Sequence, residues 1–144
     1  MYQQRGRVAE SKILEFIERL KKEGIGKIEK KDLLKPEGYA AKISQELKLS
    51  RVQLRKVFSE FKIIKEKYEK YKQSKDTKIK QDIEIKIFKL YPMLQYQENR
   101  GVIDKRFKDM IFQILENLEK NLDENMDNAY EFIEALVAYA PARS

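Results

Sequence analysis

Apolar residues recur every three or four positions through almost the whole chain, and that spacing predicts helices. Ile13, Phe16, Ile17 and Leu20 predict a first helix from about Val8 to Lys22, ended by Gly24 and Gly26. The stretch KIEKKDLLKPEG reads as a short connection, with Pro36 suited to the first turn of a short helix over Glu37 to Leu47. Ser50 is then placed as an N-cap, and Gln53 follows at the spacing of a capping box. Leu54, Val57, Phe58, Phe61, Ile64, Tyr68 and Tyr71 make one stripe along a long helix. That helix is expected to break or bend near Ser74 to Thr77, although no Gly or Pro stands there. Ile79, Ile83, Ile87, Leu90, Tyr91 and Leu94 mark a further helix over about Lys78 to Gln97, and Pro92 inside it predicts a kink or a restart. After the breaker ENRG come a stripe from Ile103 and Phe107 through Ile114 to Leu122, and a last one from Met126 to Ala140. No strand alternation and no internal repeat is visible. The expected fold is all-α: a compact bundle of five or six helices without a sheet, forming one helical domain over residues 1–144.

Composition agrees with that pattern. Only five glycines and three prolines interrupt a chain that is 42% apolar and 38% charged. The chain has no cysteine and no histidine. Disulfides, the usual zinc sites and Ser-His or Cys-His nucleophile pairs are thereby excluded from its own residues. An enzyme built from it would have carboxylates, Lys, Tyr and backbone groups alone. Asp104 and Asp109 are five apart, which does not put them on one helix face. The DENMD cluster reads as acids at a helix N-terminus. No glycine-rich phosphate loop is present. The expectation is therefore no catalysis, no metal and no cofactor. Neither a signal-like start nor a membrane-length apolar run is seen, so a cytoplasmic location is expected.

Charge adds the functional pointer. The formal net charge of +7 divides into +3 over residues 1–41, +8 over 42–80, zero over 81–100 and −4 over 101–144. A basic belt thus precedes an acidic last third, which suggests a polyanion-facing surface beside a surface for protein contacts. Within the belt, Arg51, Arg55 and Lys62 line up on one flank of the apolar stripe, and Lys56 stands next to them in sequence. Guanidinium and ammonium groups in such a row can neutralise successive phosphates. Ser50, at the helix N-terminus, adds backbone N–H groups that favour an anion. The plainer reading of the same cations is a solvated helix face. Five acids cannot pair thirteen bases over residues 42–80, so a positive field must persist there. Tyr68 and Tyr71 could stack on bases, but both lie on the apolar stripe and are expected in the core or a subunit contact. AAKISQELKLSRVQLRKVFSEF also has the outline of a helix-turn-helix, although Leu47, Lys48 and Leu49 fill a turn that usually carries Gly.

Three stretches taken together resemble a known family. SRVQLRKVFSEF, LYPMLQYQENR and FIEALVAYA, in that order over about Ser50 to Ala140, are similar to motifs of the small subunit of the Csm complex, the type III-A CRISPR effector. In the second of them Leu90, Pro92, Leu94, Tyr96 and Arg100 fall on the family's positions, while Tyr91 and Met93 stand where the family usually carries cations. The first 40 residues carry no such likeness. The resemblance implies a helical bundle that repeats in several copies along the effector filament. There it would lie against the guide RNA–target RNA duplex and touch the backbone and large subunits. It also implies RNA-binding roles for Arg51, Arg55, Lys56 and, beyond the residue-level reading, Arg100. A helix-turn-helix DNA-binding regulator is the alternative.

Overall fold

The computed structural model describes residues 11–141, and every regular element in them is helical. Helix α1 spans Lys12–Lys22, a 3-10 turn Ile25–Lys27, α2 Lys30–Leu34, α3 Tyr39–Leu47, α4 Arg51–Ser74, α5 Thr77–Asn99, α6 Lys105–Lys120 and α7 Leu122–Tyr139. The all-α expectation holds. The Val8 to Glu10 part of the predicted first helix lies outside the described residues.

Helices α4, α5, α6 and α7 pack as a ring in which each touches the next and α4 closes against α7. Short joints impose this order, since residues 75–76 link α4 to α5 and Asn121 alone separates α6 from α7. A second ring shares two of the same helices: α1 packs on α6 and α3, and α3 packs on α7. Helices α6 and α7 therefore face two cores. That explains why α6 buries Phe107, Met110, Ile111, Gln113, Ile114, Leu115, Asn117 and Leu118, which together reach well beyond one stripe.

The predicted connection is more structured than its polarity suggested. Ile25, Ile28 and Leu33 are all buried, and they pin the 3-10 turn and α2 against α7. Three asparagines satisfy the backbone there. Asn117 Oδ1 accepts from the Ile25 N–H at 2.8 Å and its Nδ2 donates to the Leu20 carbonyl at 3.2 Å. Asn125 Oδ1 accepts from the Gly26 N–H at 2.8 Å. Asn128 Nδ2 donates to the carbonyls of Ile25 and Ile28 at 2.9 and 3.0 Å. The approach is close enough that a Cβ on Gly26 would lie 2.1 Å from the Glu124 carbonyl oxygen.

Other boundaries also moved. Pro36 is not in the first turn of a helix: α3 starts at Tyr39 with Gly38 as its N-cap. A Cβ at Gly38 would sit 2.5 Å from the Asp32 carbonyl, so α2 folds back over that position. Pro92 does not restart its helix, which runs unbroken from Thr77 to Asn99. It sits on the exposed side of α5, where water can take the carbonyl that proline leaves without an N–H donor. The break near Ser74 is real, with Lys75 left-handed at φ 55° and Asp76 capping α5 by accepting from the Lys78 N–H at 2.9 Å.

Glu46 of α3 caps α1 from a distance. Its carboxylate accepts from the N–H groups of Lys12 and Ile13 at 2.8 and 3.3 Å, from Ser11 Oγ at 2.6 Å and from Arg106 at 3.3 Å. A carboxylate at a helix N-terminus also opposes the helix dipole favourably. Glu46→Ala is expected to cost about 1–2 kcal/mol, the scale of a lost cap. A denaturant midpoint equal to that of the parent chain would refute this role.

Candidate nucleic-acid interface

Helix α4 is built around a buried line of Leu54, Val57, Phe61, Ile64 and Tyr68. Ser50 caps its start by accepting from the Val52 N–H at 3.2 Å, so the cap is present while Gln53 is not the residue it holds. The partner helices fix its two shoulders. On one side Phe58 stacks on Tyr130 of α7 at 5.6 Å, Lys65 pairs with Asp127 at 3.2 Å, and Tyr68 donates to Asp123 at 2.8 Å. Those three contacts run antiparallel along α4 and α7. On the other side Lys80 of α5 lies over the Tyr71 ring.

At 100° per residue, Arg51, Arg55 and Lys62 fall within about 40° of one another, on the shoulder beside α7. Lys56 lies about 100° further round, on the outward face of α4. Arg100 follows the end of α5, level with Arg51 along the α4–α5 hairpin but on the far flank of α4. The structure thus gathers three of the five predicted residues on one line, sets a fourth on the adjacent face and places the fifth at the same end of the hairpin. Arg55, Lys56, Lys62 and Arg100 are exposed, and Arg51 is half-buried.

The distribution of ion pairs is the sharpest electrostatic feature. Among the described residues, every Lys and Arg from Lys42 to Arg100 lacks a carboxylate within 4.0 Å except Lys65 and Lys72. Elsewhere pairing is the rule: Lys12 with Glu15, Arg19 with Glu23, Lys27 with Glu124, Lys30 with Glu131, Arg106 with Asp104, Lys108 with Glu98 and Asp109. Lys65 is the neutralised member of the α4 shoulder. Burial works against its charge, but hydrogen bonds to Glu69 and Asp127 outweigh that and raise its pKa above the ordinary lysine value. Arg51 shows the opposite condition. Its Nε is buried and has no hydrogen-bond acceptor. A buried unpaired donor is costly, and an anionic oxygen would satisfy it.

The aromatics sort differently from a simple count. Tyr68 is in the core, and Tyr71 is half-buried with Lys75 and Lys80 at 5.5 and 6.0 Å from its ring. Neither offers an open ring to a base. Tyr96 does: it is 61% exposed, with the Arg100 guanidinium 5.4 Å from its ring centre. Residue-level reasoning passed over its exposed face because Pro92 hid the continuity of α5, and with it which way Tyr96 points. Asp104 caps α6 through the Arg106 N–H, and Asp109 is held by Lys105 and Lys108. No group of three or more carboxylates among the described residues is arranged to hold a metal ion. None of the described helices is long and apolar enough to cross a membrane.

With this geometry in hand, comparison with known proteins gives one family. The family model described as Csm2 Type III-A matches residues 30–142, from the start of α2 through the end of α7. The match begins some twenty residues before the motif-bearing stretch, and it leaves α1 outside. No curated protein and no solved structure matches the chain.

Proposed function

The chain belongs to the Csm2 type III-A family, the small subunit of the Csm effector complex, and from that premise we propose that it is a non-catalytic RNA-binding scaffold. The observation that carries the RNA reading is the row of cations without carboxylates along the α4–α5 hairpin, whereas most of the other cations among the described residues are paired. Arg51, Arg55 and Lys62 hold phosphates of the target strand or of the guide–target duplex. Lys56 and Arg100 extend the field to the outward face and to the end of α5. Such contacts position a backbone and read no bases. The acidic outer sides of α6 and α7 serve contacts with the backbone and large subunits, and several copies line the complex in the cytoplasm.

A helix-turn-helix regulator fits less well. The would-be recognition helix is 24 residues long, and its buried line is committed to α5 and α7. The two readings part in a competition between duplex RNA, single-stranded RNA and duplex DNA of several unrelated sequences. The scaffold binds each RNA regardless of sequence, with an affinity whose logarithm falls linearly with the logarithm of salt. Preference for one duplex DNA sequence, or no RNA binding near physiological salt, would overturn the proposal.

A further inference from the structure

Building on the polyanion reading above, we propose that the outward face of α5 stacks unpaired bases of a single-stranded nucleic acid, with Phe88 and Tyr96 as the platforms. This chain buries large aromatics where it can: Phe16, Phe61, Phe107 and Phe132 are all at most 1% exposed. Phe88 and Tyr96 break that habit at 51% and 61%. Both point away from the packed line of Ile83, Ile87, Leu90 and Leu94, and eight residues put them about 12 Å apart along the helix. Rings held this way keep a face open for stacking, which every base can use.

Asp82 and Glu84 are exposed on α5 near Phe88, and the cations gather toward Tyr96, where a polyanion is favoured. Lys78 and Lys89 share this side of α5 and, among the described residues, neither has a carboxylate partner. Arg100 lies over the Tyr96 ring, so a base on the free ring face would bring its phosphate within reach of a guanidinium. Ile85, 49% exposed, adds an apolar neighbour to this face, but Pro92 stands between the two aromatics and Gln95 and Asn99 occupy the next positions of an apolar heptad begun at Ile85, so a long partner-helix seam is not continued. Phosphate contacts on α4 would then be joined by base contacts on α5, and the surface would favour a strand with unstacked bases over a bare phosphate chain.

The test uses the full chain and three probes of roughly 16 nucleotides, the upper site size of such surfaces: single-stranded RNA, an abasic ribose–phosphate strand and an RNA duplex. The parent chain should bind the base-bearing strand about tenfold or more tightly than the abasic one. Tyr96→Ala and Phe88→Ala should each remove most of that preference, Tyr96→Phe should keep it, and abasic binding with its salt slope should stay as in the parent. Equal binding of base-bearing and abasic strands by the parent chain would sink the stacking proposal while leaving the phosphate face intact. So would Tyr96→Leu binding as well as the parent, which would mark the patch as an ordinary apolar contact for a protein. Failure of all three probes to bind would reject the polyanion reading and this one with it.

Discussion

Replacing Arg51, Arg55 and Lys62 together by alanine should weaken RNA binding by roughly tenfold to a hundredfold, and should do so equally for unrelated sequences. Each is a partnerless cation on one shoulder, so each deletion removes a phosphate contact and the counterion release that goes with it. The slope of log affinity against log salt should therefore become shallower by about two to three. Folding should change little, because Arg55 and Lys62 are exposed and touch no carboxylate, and losing half-buried Arg51 removes a buried Nε that has no acceptor. Lys65→Ala serves as the comparison. It sits on the same shoulder but is held by Glu69 and Asp127, so its loss should move RNA affinity far less and stability more. A triple variant that binds as the parent does, with the same salt slope, would move the interface elsewhere.

Asn117→Leu should destabilise the chain by about 1–3 kcal/mol. The side chain is nearly isosteric, so the effect isolates polarity. One backbone group, the Ile25 N–H, would be left buried without a partner at a cost of about 1–3 kcal/mol, while the Leu20 carbonyl keeps the Gly24 N–H. For a chain of this size that corresponds to a fall in Tm of roughly 3–10 °C. The change should be local in origin: hydrogen exchange at the Ile25 and Gly26 amides should accelerate before that of α4. A melting temperature unchanged by the substitution would mean that the turn does not depend on this asparagine.

What was legible in the sequence divides along physical lines. Long stripes such as Leu54 to Tyr68 and Phe107 to Leu118 fix their helices because burying them outweighs local preference. The cap at Ser50 was legible because its chemistry is local. Less legible was the segment between Gly24 and Gly38, since Ile25, Ile28 and Leu33 do not repeat at helical spacing and their partners are asparagines about a hundred residues away. The turns at Lys48 and Lys75 were foreseen without the residue that usually makes them. Both lysines adopt the left-handed conformation that glycine favours, at φ 51° and 55°. A sharp turn between α3 and α4 without Gly, and a break between α4 and α5 without Gly or Pro, are therefore both present. For the interface, sequence named the cations but could not say which lacked acids nearby, since pairing depends on α7 approaching Lys65 and not Arg55. Helix position already set Lys56 off the line of the other three, but it could not place Arg100, which depends on α5 folding back along α4.

The sharing of α6 and α7 between two rings has a consequence for how this chain can change. A side chain such as Ile114 is fully buried on a helix that both rings share, so a single methylene gained or lost there disturbs a helix on which both cores depend. Substitutions along that central pair should be poorly tolerated and hard to compensate. The solvent side of α4 carries no such double duty. Its residues are free to drift toward whatever strand they must hold, while the architecture beneath stays put.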